Sequence, residues 1–284
     1  MASIAIMVHQ DHPLARELAL DLIEWLDDRG HELRLPEHDA RLVGRADLGW
    51  HEAELGAGLD LAVTLGGDGS ILRTFAMVAS HEVPVLGVNL GQLGYLAEVE
   101  PHGARVAIGR FLAGSHSVEQ RMMLDVVGIE GSVEGIEVQA VNEMVIERSP
   151  VSRMIRVEVL VDGRTFTTLA ADGVIVATPT GSTAYSLSAR GPVVAPAHRA
   201  LVLTPVAPHM LWDRSLVLDP ANTIELRVLG DRPAGLSVDG RTVANLEPGD
   251  VLRATASKRS ARLVTFAERD FLSVLKDKFG LEDR

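Results

Sequence analysis

Cysteine is absent from the 284 residues, which excludes a disulfide framework, thiolate zinc and iron–sulfur centres, and a cysteine nucleophile. Such a composition suits a reducing cytoplasm, which is the compartment expected. Basic residues are outnumbered, with 27 Lys and Arg against 39 Asp and Glu and a formal net charge of −12. They are not clustered, so neither a nucleic-acid partner nor an anionic membrane surface is expected. Long hydrophobic runs are missing as well. The opening apolar stretch has no basic residues ahead of it and is cut short by His9, Asp11 and His12, so it reads as neither a signal peptide nor an anchor. There is no internal repeat or low-complexity tract.

Hydrophobic residues make up 46% and charged residues 23%, enough for a packed core, and the length suits one large domain or two ordinary ones. In the first hundred residues, short apolar runs alternate with amphipathic stretches. Strands are expected at 4–8, 31–35, 59–65 and 84–88, and helices at 14–28, 46–55 and 70–79. Strands separated by helices imply a parallel sheet with right-handed crossovers, a Rossmann-like α/β domain over 1–110. Beyond it the runs at 124–129, 135–141, 143–148, 155–161 and 165–169 are short and rich in Val, Ile and Thr. Asp162-Gly163 and Asp239-Gly240 sit between such runs as hairpin turns. A mainly antiparallel β domain is therefore expected over 111–265, interrupted by a helix near 182–189. A helical segment at 266–284 carries Phe271, Leu272, Leu275 and Phe279 at helical spacing and is expected to pack back on the first domain.

Three stretches carry polar groups suited to chemistry. Gly66-Gly67-Asp68-Gly69-Ser70 follows a strand and precedes a helix, where glycines let the backbone approach an anion and the N–H groups of Gly69, Ser70 and Ile71 face it. A carboxylate within an anion cradle makes sense if it binds a metal or takes a proton from an attacking hydroxyl, which points to phosphoryl transfer; the plain alternative is an Asp-Gly turn. The second stretch runs from Asp172 through Thr178-Pro179-Thr180-Gly181-Ser182-Thr183-Ala184-Tyr185-Ser186, a hydroxyl-rich turn that serves either a polar ligand or ordinary helix capping. The third is Asn142-Glu143, suited to vicinal ribose hydroxyls or equally to a polar strand edge. Other nucleotide and hydrolase motifs are absent. There is no Gly-x-x-x-x-Gly-Lys-Ser/Thr, Gly87, Gly91 and Gly94 do not fit the dinucleotide fingerprint, and neither His51 nor His81 has a second histidine at zinc-protease spacing. Ser182 lies in no Gly-x-Ser-x-Gly.

Taken in order, Gly66-Gly67-Asp68-Gly69, Asn142-Glu143, the 172–188 segment with Gly191-Pro192, Leu203-Thr204-Pro205 with Pro208-His209, and the Asp239-Gly240 hairpin resemble the bacterial NAD kinase family across nearly the whole chain. The Thr-Pro-Thr-Gly-Ser-Thr-Ala-Tyr-Ser string is the specific part; Gly-Gly-Asp-Gly is shared with phosphofructokinases and lipid kinases. The resemblance implies an α/β domain and a β-sandwich with the site between them, and phosphorylation of the 2′-hydroxyl of the adenosine ribose of NAD to give NADP. ATP or inorganic polyphosphate would be the donor, with a divalent cation, Mg²⁺, accompanying the phosphates near Asp68. By the same resemblance Asp68 is the proton acceptor, and Gly66, Gly67, Gly69 and Ser70 form the phosphate loop. Asp68, Gly69, Arg73, Asn142, Glu143, Arg153, Asp172, Thr183, Ala184, Tyr185, Ser186, Leu187, Ser188 and Arg241 lie at NAD-contacting positions, and a homodimer or homotetramer is implied. Two positions depart from the family pattern: Ala170 stands where many members have a basic residue, and Arg241 where glutamine is frequent. A lipid kinase is opposed by the acidic charge, the aromatic content of 4% and the lack of a basic amphipathic segment. A non-catalytic dinucleotide sensor would keep the NAD positions without needing Asp68.

Overall fold

The computed structural model describes residues 1–91, 94–149, 154–266 and 270–281. The chain divides into two compact units, one of Met1–Gln120 with Ala261–Arg284 and one of Arg121–Ser260.

In chain order the first unit contains β1 (Ser3–Val8), α1 (Pro13–Asp27), β2 (Glu32–Pro36), α2 (Glu37–Leu42), β3 (Gly49–Trp50), β4 (Leu61–Leu65), α3 (Asp68–Val78), β5 (Pro84–Val88) and α4 (Ala104–Leu112). Then come β6 (Ser117–Glu130), β7 (Glu137–Ala140), β8 (Glu143–Arg148), β9 (Ile155–Val161), β10 (Arg164–Ala171) and β11 (Gly173–Ala177). The single turn α5 (Tyr185–Ser188) leads to β12 (Leu201–Val206), β13 (Leu216–Leu218), β14 (Ile224–Leu229), β15 (Ala234–Val238) and β16 (Arg241–Leu246). The chain ends with β17 (Val251–Thr265) and α6 (Phe271–Phe279).

The first unit is an α/β layer. Its strands run β3-β2-β1-β4-β5, all parallel, and the last residues of β17 add to β5 through Arg262 opposite Pro84 and Leu263 opposite Val85. Every residue of β1 and β4 is buried, as expected for parallel strands covered on both faces. One core gathers Ile4, Ile6 and Val8 with Leu22, Leu26, Leu61, Val63 and Leu86, each large aliphatic side chain stabilising the fold by roughly 1.5–3 kcal/mol. The helix expected at 46–55 is replaced by a 3₁₀ turn at Ala46–Leu48 and the short β3. Tertiary contacts override the local pattern there: the buried Arg34 stacks its guanidinium 4.1 Å above Trp50 and donates to the Leu55 and Ala57 carbonyls at 3.4 and 2.6 Å. Phe271 and Lys278 of α6 meet the ring of Tyr95, at 6.4 Å between centroids and 4.6 Å from Nζ, so the tail helix docks within this unit.

The second unit is a sandwich of two mainly antiparallel sheets. One follows the order β13-β12-β11-β8-β15-β16; the other has β10-β9-β14-β17 with the β6–β7 ribbon. Met144, Ile146, Val174, Val176, Leu203 and Leu236 from the first pack with Val157, Val159, Leu226 and Leu252 from the second, the interdigitating core of stacked sheets. Val145, Ile175, Ala177 and Val202 face the other way and are covered by Val194, which is why β11 is buried on both sides. Asp162-Gly163 and Asp239-Gly240 form the expected hairpin turns, with φ of +52° and +71° in one and +48° and +73° in the other. The helix expected over 182–189 shrinks to a 3₁₀ turn at Gly181–Thr183 and the one-turn α5, broken at Ala184 with φ −96° and ψ −126°.

Candidate active site

In the first unit the site is built where β4 turns into α3. Gly67 is the N-cap and Asp68 the first helical residue, so the carboxylate stands at the end of a parallel strand, where α/β sheets bind ligands. Its two oxygens are held separately: Tyr95 N–H donates to Oδ2 at 2.8 Å and Leu96 N–H to Oδ1 at 3.1 Å. A Cβ built on Gly94 would collide with that carboxylate, so the turn approaches this closely only because residue 94 is glycine. Gly66, Gly67, Gly69 and Ser70 surround Asp68 as expected, and Ser70 N–H is spent on Gly67 O at 3.0 Å. Arg73, one turn further along α3, is paired with Asp39: Nη2 reaches Oδ1 at 2.9 Å and Nη1 reaches Oδ2 at 3.2 Å. Asp39 is fully buried and also accepts Val8 N–H at 2.8 Å, so Arg73 is tied to the end of β1.

In the second unit Asn142 and Glu143 lie at the start of β8. The loop bends there around the buried carboxylate of Asp239, which accepts N–H bonds from Val141 and Asn142 at 2.8 Å each and Glu143 at 3.1 Å. Burial pushes the Asp239 carboxyl above its ordinary value, against the pull of those three amides and Arg241. Glu143 is more strongly affected. Its side chain is buried with Oε2 lacking any hydrogen-bond partner, and burial, then the Asp239 charge, push its pKa to about 8, while a backbone bond from Tyr185 pulls the other way. A buried carboxyl with an unpaired oxygen is an unfinished hydrogen-bonding site. Thr180 Oγ1 is likewise buried and unpaired.

The hydroxyl-rich segment packs against the same loop. Thr178 donates to Val141 O at 2.6 Å, its N–H donates to Asn142 O at 2.8 Å, and Gly181 sits directly over the Asn142 carbonyl, where a side chain would clash. Several hydroxyls of this string build the turn itself. Ser182 Oγ bridges Pro179 O, Val194 O and Val194 N–H, and Ser186 Oγ lies 3.0 Å from Thr204 Oγ1, both serines being fully buried. Thr183, Ala184, Leu187 and Ser188 follow in the same two turns, with Tyr185 39% exposed. Burial, then the charges of Glu147 and Asp172, raise the Tyr185 phenol. Asp172 forms an ion pair with Arg148 at 3.0 Å, and two residues earlier, near the end of β10, Ala170 O accepts His209 N–H at 2.7 Å. Arg241 follows the Asp239-Gly240 turn at the exposed start of β16. Arg153 lies outside the described residues.

Asp239, Asp39 and the Gly94-Tyr95-Leu96 turn are the residues that motif reading missed. The Asp239-Gly240 pair was visible as a hairpin, and the glycines at 91 and 94 were visible as a cluster, but their service to Asn142 and Asp68 lies in contacts far apart in sequence.

A carboxylate at a glycine-rich strand-to-helix turn in an α/β unit, with a sandwich whose loop presents an amide and an unpaired buried carboxyl, defines a nucleotide-handling phosphotransferase. Sequence models of the ATP-NAD kinase N-terminal domain and the ATP-NAD kinase C-terminal domain match residues 4–116 and 141–266. NAD kinases of Citrifermentans bemidjiense and Syntrophotalea carbinolica are 39% and 37% identical to the chain, each alignment covering 100% of both sequences. The chain belongs to the ATP-NAD kinase family. Among solved structures, a yeast NADH kinase complexed with NADH superposes with a TM-score of 0.91 at 26% identity, covering 100% of this chain and 89% of that one. An NAD kinase from Archaeoglobus fulgidus in complex with ATP gives 0.73 at 25% identity over 99% and 98%.

Proposed function

We propose that the protein transfers the terminal phosphoryl group of ATP to the 2′-hydroxyl of the adenosine ribose of NAD, with Asp68 as the proton acceptor. The observation that carries this is the Asp68 carboxylate, held by two backbone amides at the mouth of β4, each oxygen accepting one of them among the described residues. The 2′-hydroxyl gives its proton to Asp68 as its oxygen bonds to the γ-phosphorus; the bond from that phosphorus to the β–γ bridging oxygen breaks, and ADP leaves. Two fixed donors set the direction of the carboxylate before substrate arrives, so the contribution of the residue is positioning together with proton removal. Of the three amides expected to face an anion, Ser70 and Ile71 N–H are both spent on Gly67 O, at 3.0 and 3.2 Å, so in this reading the Gly69 amide is the one that faces the transferred phosphate and stabilises its charge.

Asn142 and Glu143 bind the adenosine end of NAD in this reading. With its pKa at about 8, Glu143 in the free protein is largely protonated at neutral pH, able to donate one bond and accept others from ribose hydroxyls. Asp172 and the turns at 183–188 apart from Ser186, which is buried against Thr204, face the remainder of the dinucleotide in this reading, with Arg241 and Arg153 as further contacts. Among the described residues no group of three or more His, Asp or Glu could hold a metal ion. A magnesium ion carried by the donor phosphates, with Asp68 as the carboxylate within the loop, would neutralise phosphate charge. No helix among the described residues is long and apolar enough to cross a membrane. A cysteine-free composition supports the reducing cytoplasm as the compartment, and a homo-oligomer is proposed on the family resemblance.

The test is NADP formation from NAD, ATP and Mg²⁺ by the wild type and by Asp68→Asn, with NAD binding measured on both. The expected result is turnover in the wild type and a loss on the order of 100-fold or more in the variant, with NAD affinity retained. A wild type that binds NAD and makes no NADP from ATP or polyphosphate would make the protein a sensor.

A further inference from the structure

The parallel sheet of the first unit reverses its direction of growth between β1 and β4. From β1 the chain builds outward through β2 and β3 on one side, then crosses to the other side to lay down β4 and β5. In an open α/β sheet the crevice beyond the carboxyl ends of two such strands is where ligands bind. The register makes that crevice specific. Val8, the last residue of β1, is opposite Leu65, the last of β4, so His9 and Gly66 leave the sheet side by side. His9 N–H donates to Leu65 O at 3.0 Å, and a Cβ added at Gly66 would lie 3.4 Å from the Cβ of His9. One wall of the crevice is the Gly66–Ser70 turn; the other is the turn that opens with His9.

Asp11 N–H donates to His9 Nδ1 at 3.2 Å, so Nδ1 is the accepting nitrogen and Nε2 is the one left to donate. The ring meets His12 edge to face at 6.1 Å, which limits its swing. His9 is half-buried, as a residue lining a cleft would be. The nearest carboxylate in the turn, Asp11, is exposed. Resting on the kinase reading above, we infer that His9 is a binding residue for the phosphate donor: its Nε2–H hydrogen-bonds a phosphate chain lying in the β1–β4 crevice, opposite the glycine turn. Recognition is of the phosphates themselves, so the chain of ATP and that of inorganic polyphosphate are equivalent ligands at this point.

The experiment measures NADP formation by the wild type, His9→Ala and His9→Gln, varying ATP at saturating NAD, NAD at saturating ATP, and polyphosphate in place of ATP. For His9→Ala the expected outcome is a rise of about tenfold in the KM for the donor, with the KM for NAD within twofold of wild type. His9→Gln, which keeps an N–H donor, recovers part of the loss. If polyphosphate is a donor, its KM rises alongside that of ATP; a rise confined to ATP would assign the contact to the nucleoside and overturn the inference. Donor KM values unchanged in His9→Ala would overturn it too. A wild type inactive with both donors would sink the kinase reading instead. Should His9→Ala fail to fold, the wild-type imidazole resonances are followed by NMR during titration with tripolyphosphate. His9 resonances that shift support the contact, and resonances that stay in place refute it.

Discussion

Glu143 carries a charge problem whose solution is visible in pH. Its folded pKa of about 8 lies above the ordinary 4.5, so between those values the folded protein holds a proton that the unfolded chain releases. Stability falls as pH rises through that window and is flat outside it, because the unfolded state binds fewer protons there. Thermal melting of the protein without substrates, followed from pH 5 to 8, is expected to show a declining Tm, and Glu143→Gln should flatten much of the decline. Asp239 is a different kind of residue. Removing its carboxylate in Asp239→Ala strands the N–H groups of Val141, Asn142 and Glu143 in a buried loop, for an expected loss of about 3 kcal/mol or more in urea titration. Asp239→Asn, which keeps one acceptor oxygen, should lose less. This division explains what could be read from residues alone. Asp68 and Asn142-Glu143 announce themselves by type and setting, whereas Asp239 and Asp39 act through partners about a hundred and about thirty positions away, a relation that no local pattern contains.

At the level of elements, turns hold the chemistry. The Gly94-Tyr95-Leu96 turn after β5 supplies both donors to Asp68, and a methyl group at residue 94 meets the carboxylate head on. Gly94→Ala is therefore expected to lower kcat by about 100-fold by displacing Asp68, while circular dichroism and NAD affinity stay near wild type; unchanged turnover would show that the carboxylate tolerates the shift. The strands of the parallel sheet were legible because burial on both faces makes them continuous apolar runs, and α1 because its apolar positions repeat at helical spacing. The hairpins at Asp162-Gly163 and Asp239-Gly240 were legible because that dipeptide accepts the positive φ both positions show. The stretch at 46–55 misled because its pattern is helical while Arg34 from β2 stacks on Trp50 and claims the carbonyls of Leu55 at its end and Ala57 just beyond. The turn near 182–189 misled for a related reason: Ser182 and Ser186 spend their hydroxyls on Val194 and Thr204, and the backbone breaks at Ala184 to allow it.

For the whole molecule, ligand binding and folding are linked. A dinucleotide that binds only the folded chain raises the melting temperature by mass action, worth about 2.7 kcal/mol at a hundred times its Kd. NAD is expected to shift the Tm of wild type and Asp68→Asn equally, since that carboxylate acts in the chemical step, and a shift lost in the variant would make Asp68 a binding residue. The first unit is also discontinuous: it is left after Gln120 and resumed at Ala261, and only then do Arg262 and Leu263 pair with Pro84 and Val85. On a ribosome, which makes the chain from the amino end, the Pro84–Val85 part of the β5 edge, beyond the bridge from Val99 to Val88, therefore waits unpaired while the intervening 140 residues are synthesised, exposing backbone that invites pairing with other nascent chains. Arg262, bonded to Glu82 O at 2.8 Å, is made only after the whole second unit, so the pairing it completes in the first unit has to wait for the second to be synthesised.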